Sequence, residues 1–248
     1  MKSLHKTWRI FFVVIVAIFL PVLCSHISLL LETYIDGKPL AGGILLTVVF
    51  YVIQSGVAML LGILIMICSI REMGFNASNF KLTLKMLGWF IPIWFLVVVL
   101  FYVIGLNCIA DFDTFITHYY VKDKLTMQKD LVIGCLLAGI GEEPLFRGFV
   151  VSSLIVIITR YISVGKAKIP LVALLSGLLF ALAHIEYQIM PFRIIYTDGI
   201  QLCTTFILGT FWSIMFIKTK SLIGPIIAHM CANVIQIMGG YIVAYYFL

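Results

Sequence analysis

The stretch LVIGCLLAGIGEEPLFRGFVVSSLIVII, Leu131–Ile158, decides the fold. It exceeds the about 20 mostly apolar residues that a bilayer-crossing helix needs. Its centre nevertheless holds Glu142, Glu143, Pro144 and Arg147. On insertion scales each charge at mid-bilayer costs roughly 2.5–3.5 kcal/mol. Side chains retained at that cost face a bundle interior or a wet cavity and mark function.

The rest of the chain agrees. It has 248 residues, 62% hydrophobic and 11% charged, where a soluble domain carries about 25% charge. Seven apolar runs are long enough to span, at roughly 10–31, 43–70, 86–108, 131–158, 170–187, 197–217 and 222–246. They are too long for barrel strands. The expected fold is an all-α, polytopic transmembrane bundle, a single integral-membrane domain over 1–248. Helices one to three fall in 1–130 and a catalytic core of helices four to seven in 131–248. A break at Gly239–Gly240 would make eight helices. The basic start, Met1–Arg9, precedes an apolar run with no A-x-A site, so an uncleaved first span is expected. The ending Tyr-Tyr-Phe-Leu lacks a prenylation cysteine, so the chain is not expected to be its own lipid-anchored substrate.

The net charge of +6 does not point to nucleic acid, because the basic residues are scattered between apolar runs. They fit positive-inside topology instead. With the N-terminus cytoplasmic, that side collects eleven basic residues (Lys2, Lys6, Arg9, Arg71, Lys81, Lys85, Arg160, Lys166, Lys168, Lys218, Lys220) against Glu72 alone. The other side has five basic residues and eight acids. This predicts a multi-pass protein of the cell membrane, N-terminus in, with 109–130 external. Residues 71–85, REMGFNASNFKLTLK, read as an interfacial helix. The six cysteines lie in or beside apolar runs without C-x-x-C spacing, which suggests neither a disulfide framework nor a thiolate metal site.

The strongly polar groups deep in the apolar runs are Glu142, Glu143 and Arg147 in the fourth, His184 in the fifth, and His229 with Asn233 in the seventh. Glu143 and Arg147 are four apart and share a helix face, while Glu142 is turned by about 100°. Pro144 removes a backbone donor beside them and predicts a bend that opens a cavity. Ala173, Gly177 and Ala181 form a small-residue stripe beside His184. Gly224, Ala228 and Ala232 form one beside His229, and such stripes let helices approach closely. Glu186, Arg193 and Asp198 read as a solvated outer rim.

A carboxylate and an imidazole on one water make a general base for hydrolysis. A second imidazole and an amide suit an oxyanion. Arg147 would hold Glu143, leaving Glu142 for catalysis. Glu142, His184 and His229 are also the ligand types of a catalytic zinc site, although the spacing is not H-E-x-x-H. The plainer readings are a buried ion pair for Glu143–Arg147, a core histidine for His184, interhelical hydrogen bonding for His229 and Asn233, and packing for Phe180.

E-E-x-x-x-R at Glu142, Glu143 and Arg147, F-x-x-x-H at Phe180 and His184, and H-x-x-x-N at His229 and Asn233 resemble the CPBP family. These are the CAAX-prenyl endopeptidases and bacteriocin-processing or immunity proteins, also called Abi. FRGF after the first motif and SLIGPIIAHMCAN around the third are similar too. The resemblance covers about 131–235. It implies an intramembrane endopeptidase acting on a hydrophobic or lipid-modified peptide, in peptide-pheromone processing or bacteriocin immunity. Glu142 and His184 would activate water, His229 and Asn233 would line the oxyanion site, and Glu143 and Arg147 would brace it. Zinc dependence and a metal-free glutamate mechanism both stand. Only fifteen residues follow Asn233, fewer than in family members with an eighth helix. A proton-coupled transporter and a non-catalytic immunity or adaptor protein are the alternatives.

Overall fold

The computed structural model describes residues 2–32, 39–188 and 193–248. Helices α1 (Lys2–Glu32), α2 (Pro39–Leu64) and α3 (Phe80–Cys108) come first, and a short α4 (Phe112–Tyr119) follows. The chain is then helical without interruption from Lys124 to Leu154, as α5 (Lys124–Asp130), a π-helical stretch (Leu131–Leu137), α6 (Ala138–Glu143), a second π-helical stretch (Pro144–Val151) and α7 (Ser152–Leu154). We call this rod the motif helix. Helix α8 (Leu171–Leu182) lies between two antiparallel hairpins, β1 (Tyr161–Val164) with β2 (Ala167–Pro170) and β3 (Glu186–Gln188) with β4 (Arg193–Tyr196). Helices α9 (Gly199–Thr219) and α10 (Ile223–Tyr246) complete the described fold.

Five of the seven expected spans are helices long and apolar enough to cross a membrane: Lys6–Ser28, Ile44–Leu64, Phe80–Cys108, Gly199–Thr219 and Ile223–Tyr246. The fourth begins earlier than expected, where the Asp123 carboxylate accepts from the Thr126 N–H at 2.8 Å and caps the rod. The fifth differs most. Helix α8 has 12 residues, about 18 Å at the α-helical rise, and the chain past it turns into β3. Residues 71–85 are not an interfacial helix. Gly74 (φ 89) and Asn79 (φ 51) break the segment, and it folds back on the α9–α10 junction, where Asn76 Nδ2 donates to the Lys220 carbonyl at 2.9 Å. Gly239–Gly240 does not break α10. Added Cβ atoms there would meet the rings of Tyr102 and Tyr120, so these glycines admit aromatic neighbours.

Alternating helix direction sorts the charges to two ends. Arg9 bonds the Met66 carbonyl, and Ser152 bonds that of Glu72, at the end that also carries Arg71 and Lys220. At the opposite, acidic end Tyr241 Oη donates to Asp130, and Tyr119 bonds Tyr196 and Asp198. The motif helix is central: every residue from Pro144 to Val151 is buried. Large apolar side chains such as Trp89 (68% exposed) and Ile207 (63%) point outward, as a lipid-facing surface requires.

Candidate active site

The small-residue stripes let helices close around the polar groups. A Cβ on Gly177 would meet the Phe206 carbonyl at 2.8 Å, and one on Gly209 would meet Gly177 Cα at 3.1 Å. Helices α8 and α9 therefore touch backbone to backbone. Gly139 does the same for α6 and α10, since its Cβ would lie 3.0 Å from the Ile226 carbonyl. These contacts bring three expected motifs to one place.

Glu142, His184, His229 and Asn233 line a single cavity of about 390 Å³, with Phe180, Trp212 and Trp94 among its walls. Glu143 and Arg147 do not line it. They sit behind the wall, both fully buried. Arg147 Nη1 donates to Glu143 Oε1 at 3.1 Å, and Nη2 donates to the Gly209 carbonyl at 3.0 Å. Its guanidinium lies 4.7 Å from the Phe180 ring centroid and 5.3 Å from that of Trp212. The cation is thus neutralised by one carboxylate and covered by two aromatic faces.

Glu143 does more than hold Arg147. The same Oε1 accepts from His229 Nδ1 at 2.9 Å. That bond leaves His229 Nε2 on a ring lining the cavity, as in carboxylate-oriented imidazoles generally. Trp212 stacks on the His229 ring at 4.3 Å and fixes its plane. His184 is set differently. Its Nδ1 lies 2.8 Å from the Phe180 carbonyl, which can only accept, so Nδ1 carries a hydrogen, and in the neutral ring Nε2 has the lone pair. Phe180 adds an edge-to-face contact at 4.8 Å. Its part is support for His184 and cover for Arg147.

Glu142 is met from α2. Tyr51 Oη donates to Glu142 Oε1 at 3.1 Å. Gln54 Nε2 and Ser55 Oγ both donate to the Gly141 carbonyl, at 3.2 and 2.8 Å. These groups brace the rod just before Pro144, where its hydrogen bonding changes to the wider π pattern that is frequent at functional sites. Tyr51, Gln54 and Ser55 were not singled out in the sequence. A polar Gln-Ser pair inside the second apolar run was the available signal. Trp212 gave none. Asn233 spends one amide N–H on the Gly134 carbonyl at 2.6 Å, which ties α10 to the motif helix and leaves its second N–H.

Among the described residues no group of three His, Cys, Asp or Glu side chains is placed to hold a metal ion. Glu142, His184 and His229 share a cavity without converging on one point, so the residues present do not fit the zinc site considered from their types. At the acidic end Tyr119 bonds Tyr196 and Asp198 across the rim of the cavity. The hydrogen bond to Tyr196, and burial after it, push the Tyr119 phenol up and keep it protonated.

Residues 128–235 match the family model described as type II CAAX prenyl endopeptidase Rce1-like. The match contains all three motifs and is consistent with the CPBP/CAAX protease family over that segment. At family level it supports a CAAX-type intramembrane protease, in keeping with the apolar helices. Neither the curated proteins nor the solved structures give a match.

Proposed function

We propose that the protein is an intramembrane endopeptidase of the cell membrane that hydrolyses a peptide bond in a hydrophobic or lipid-modified peptide. The observation that carries this is the shared cavity of Glu142, His184, His229 and Asn233, with two imidazoles each tied at Nδ1 and carrying a free Nε2. A transporter needs polar groups strung along a path, whereas these form one cluster.

Glu142 takes a proton from a cavity water, and His184 Nε2 accepts from the same water and orients it. The water oxygen attacks the scissile carbonyl carbon. Charge on the carbonyl oxygen is met by the second N–H of Asn233, and the His229 ring, held by Glu143 through Nδ1, lines the same site. As the C–N bond breaks, the proton held at Glu142 passes to the leaving amine. Glu143 and Arg147 position His229 and touch no substrate. The zinc alternative is not used, because the donors do not converge. A setting in peptide-pheromone processing or bacteriocin immunity follows the family's bacterial members.

The test is cleavage of a quenched-fluorescent hydrophobic peptide by purified protein in lipid nanodiscs. Glu142→Gln is expected to lower the rate by about 10²–10⁴ while leaving unfolding unchanged. Equal rates for wild type and variant would end the Glu142 mechanism, and no cleavage by either would favour a non-catalytic adaptor.

A further inference from the structure

The cavity has a direction. On each helix that walls it, the lining residues run from the catalytic level toward the acidic end. On α10 they are His229, Asn233, Gln236 and Ile237. On α9 they run outward from Trp212 through Leu208, Thr205 and Thr204 to Gln201, and on α3 from Trp94 to Tyr102. Burial follows the same order, with Trp212 and Leu208 buried and Gln201 and Ile200 exposed.

One helical turn the other way, the passage is closed. The positions four residues from Glu142, Trp212, His229 and Trp94 on the basic side are Phe146, Phe216, Pro225 and Phe90. All are buried and apolar: Phe146 is 1%, Phe216 4% and Phe90 8% exposed. Phe90 also stacks on Phe211 at 5.0 Å. Closely packed aromatic rings leave no route for a peptide. The second cavity, at the basic end beside Arg9, Arg71 and Lys220, lies beyond this plug and contains none of the four catalytic candidates.

The chemistry along the open path is uneven. The α3 wall is aromatic and aliphatic (Trp94, Val97, Val98, Phe101), whereas the α9 wall carries Gln201, Thr204 and Thr205. The acidic groups among the lining residues are Glu142 inside and Asp198 at the mouth, with no Lys or Arg. Among the charged lining groups a carboxylate-bearing end of a substrate would meet only like charge, and a cation would meet Asp198, whose Oδ1 also accepts from the Ile200 and Gln201 N–H groups.

We propose that the site is served from the acidic end, which the positive-inside bias makes extracytoplasmic, and that its substrate is an apolar peptide segment flanked by cationic residues at that face. This rests on the peptide-hydrolase reading and adds side and charge to it. The apolar segment lies along α3, its backbone polar groups face the amide and hydroxyls of α9, and the cationic flank stays beside Asp198.

Two measurements test it. In cells expressing a variant with its native cysteines replaced by alanine, Gln201→Cys is expected to react with a membrane-impermeant maleimide from outside. Lys166→Cys, in the hairpin at the basic end, is expected to react only after permeabilisation. Separately, a membrane-impermeant quenched-fluorescent peptide with an apolar core and lysine flanks is offered to intact cells and to inside-out vesicles. Cleavage that Glu142→Gln abolishes is expected only with intact cells, about tenfold faster than for a glutamate-flanked peptide, from a single charge contact at partly screened range. Labelling of Gln201→Cys only from the cytoplasm, or Glu142-dependent cleavage only in inside-out vesicles, overturns the proposal while the hydrolase reading stands. Equal cleavage of the two peptides overturns the charge preference. Outside labelling with no Glu142-dependent cleavage in either preparation overturns the substrate and the hydrolase reading together.

Discussion

The buried ion pair gives the sharpest stability prediction. Arg147→Met removes the hydrogen bond to Glu143 (3.1 Å), the hydrogen bond to the Gly209 carbonyl (3.0 Å) and the cation over Phe180. It leaves the Glu143 carboxylate fully buried with His229 as its remaining partner. Breaking a buried pair from one side costs about 3–5 kcal/mol, because a charge is left uncompensated. A second substitution, Glu143→Gln, removes that charge. What remains is mainly the lost charge-assisted hydrogen bond to the Gly209 carbonyl, worth about 1.5–3 kcal/mol, while that carbonyl keeps Ser213 Oγ as a donor at 2.8 Å. The double variant is therefore expected to be more stable than Arg147→Met alone by about 2 kcal/mol, although it carries one more change. Equilibrium unfolding in mixed micelles, followed by tryptophan fluorescence, reads both values, since Trp212 lies 5.3 Å from the guanidinium. A double variant less stable than the single one, or a single variant losing under 1 kcal/mol, would refute the view of these residues as one coupled electrostatic unit.

Other expectations follow from single contacts. Tyr51→Phe removes the donor to Glu142, and a hydrogen bond to a charged group is worth about 1.5–3 kcal/mol, so kcat is expected to fall about 10- to 100-fold with the fold intact by circular dichroism. Gly177→Ala forces a Cβ to within 2.8 Å of the Phe206 carbonyl and the Thr210 nitrogen; thermal unfolding should show roughly 1–3 kcal/mol of overpacking cost, and an unchanged Tm would contradict the close α8–α9 approach. Hydrogen bonds from the Ser69 N–H and hydroxyl hold the Glu72 carboxyl below its ordinary value of 4.5. A lowered folded value means that the contribution is present above 4.5 and lost as pH falls through the folded value. Amide exchange in 69–76, taken relative to Glu72→Gln, should rise on acidification from pH 6 to 3, and a constant ratio would exclude this linkage.

What was legible followed from isolation. Glu142, Glu143, Arg147, His184, His229 and Asn233 stand out because a polar side chain in an apolar run is costly and therefore rare. The long spans were legible by length, since a run such as Phe80–Cys108 leaves no other way to bury its backbone. The end of α8 was not. Hydropathy continues through Ala181–Ile185, but helicity stops where Glu186–Gln188 finds a partner strand, Arg193–Tyr196, and pairing of that kind is not written in a local window. Residues 71–85 failed for the opposite reason: their amphipathic letters suit a helix, while two left-handed positions, Gly74 and Asn79, break it.

The most consequential omission concerns Glu143. Spacing of four displays its partner Arg147, because helical neighbours are set by the backbone alone. Its second partner, His229, is 86 residues away, and nothing local announces it. That contact depends on how closely α10 approaches the motif helix, and the approach depends on Gly139, where a Cβ would press within 3.0 Å of the Ile226 carbonyl. A side chain there would push α10 outward and lengthen the 2.9 Å bond that sets the His229 tautomer. One glycine in the opening stretch thus has an electrostatic consequence. It converts an ion pair that could serve packing alone into a carboxylate that orients a cavity imidazole.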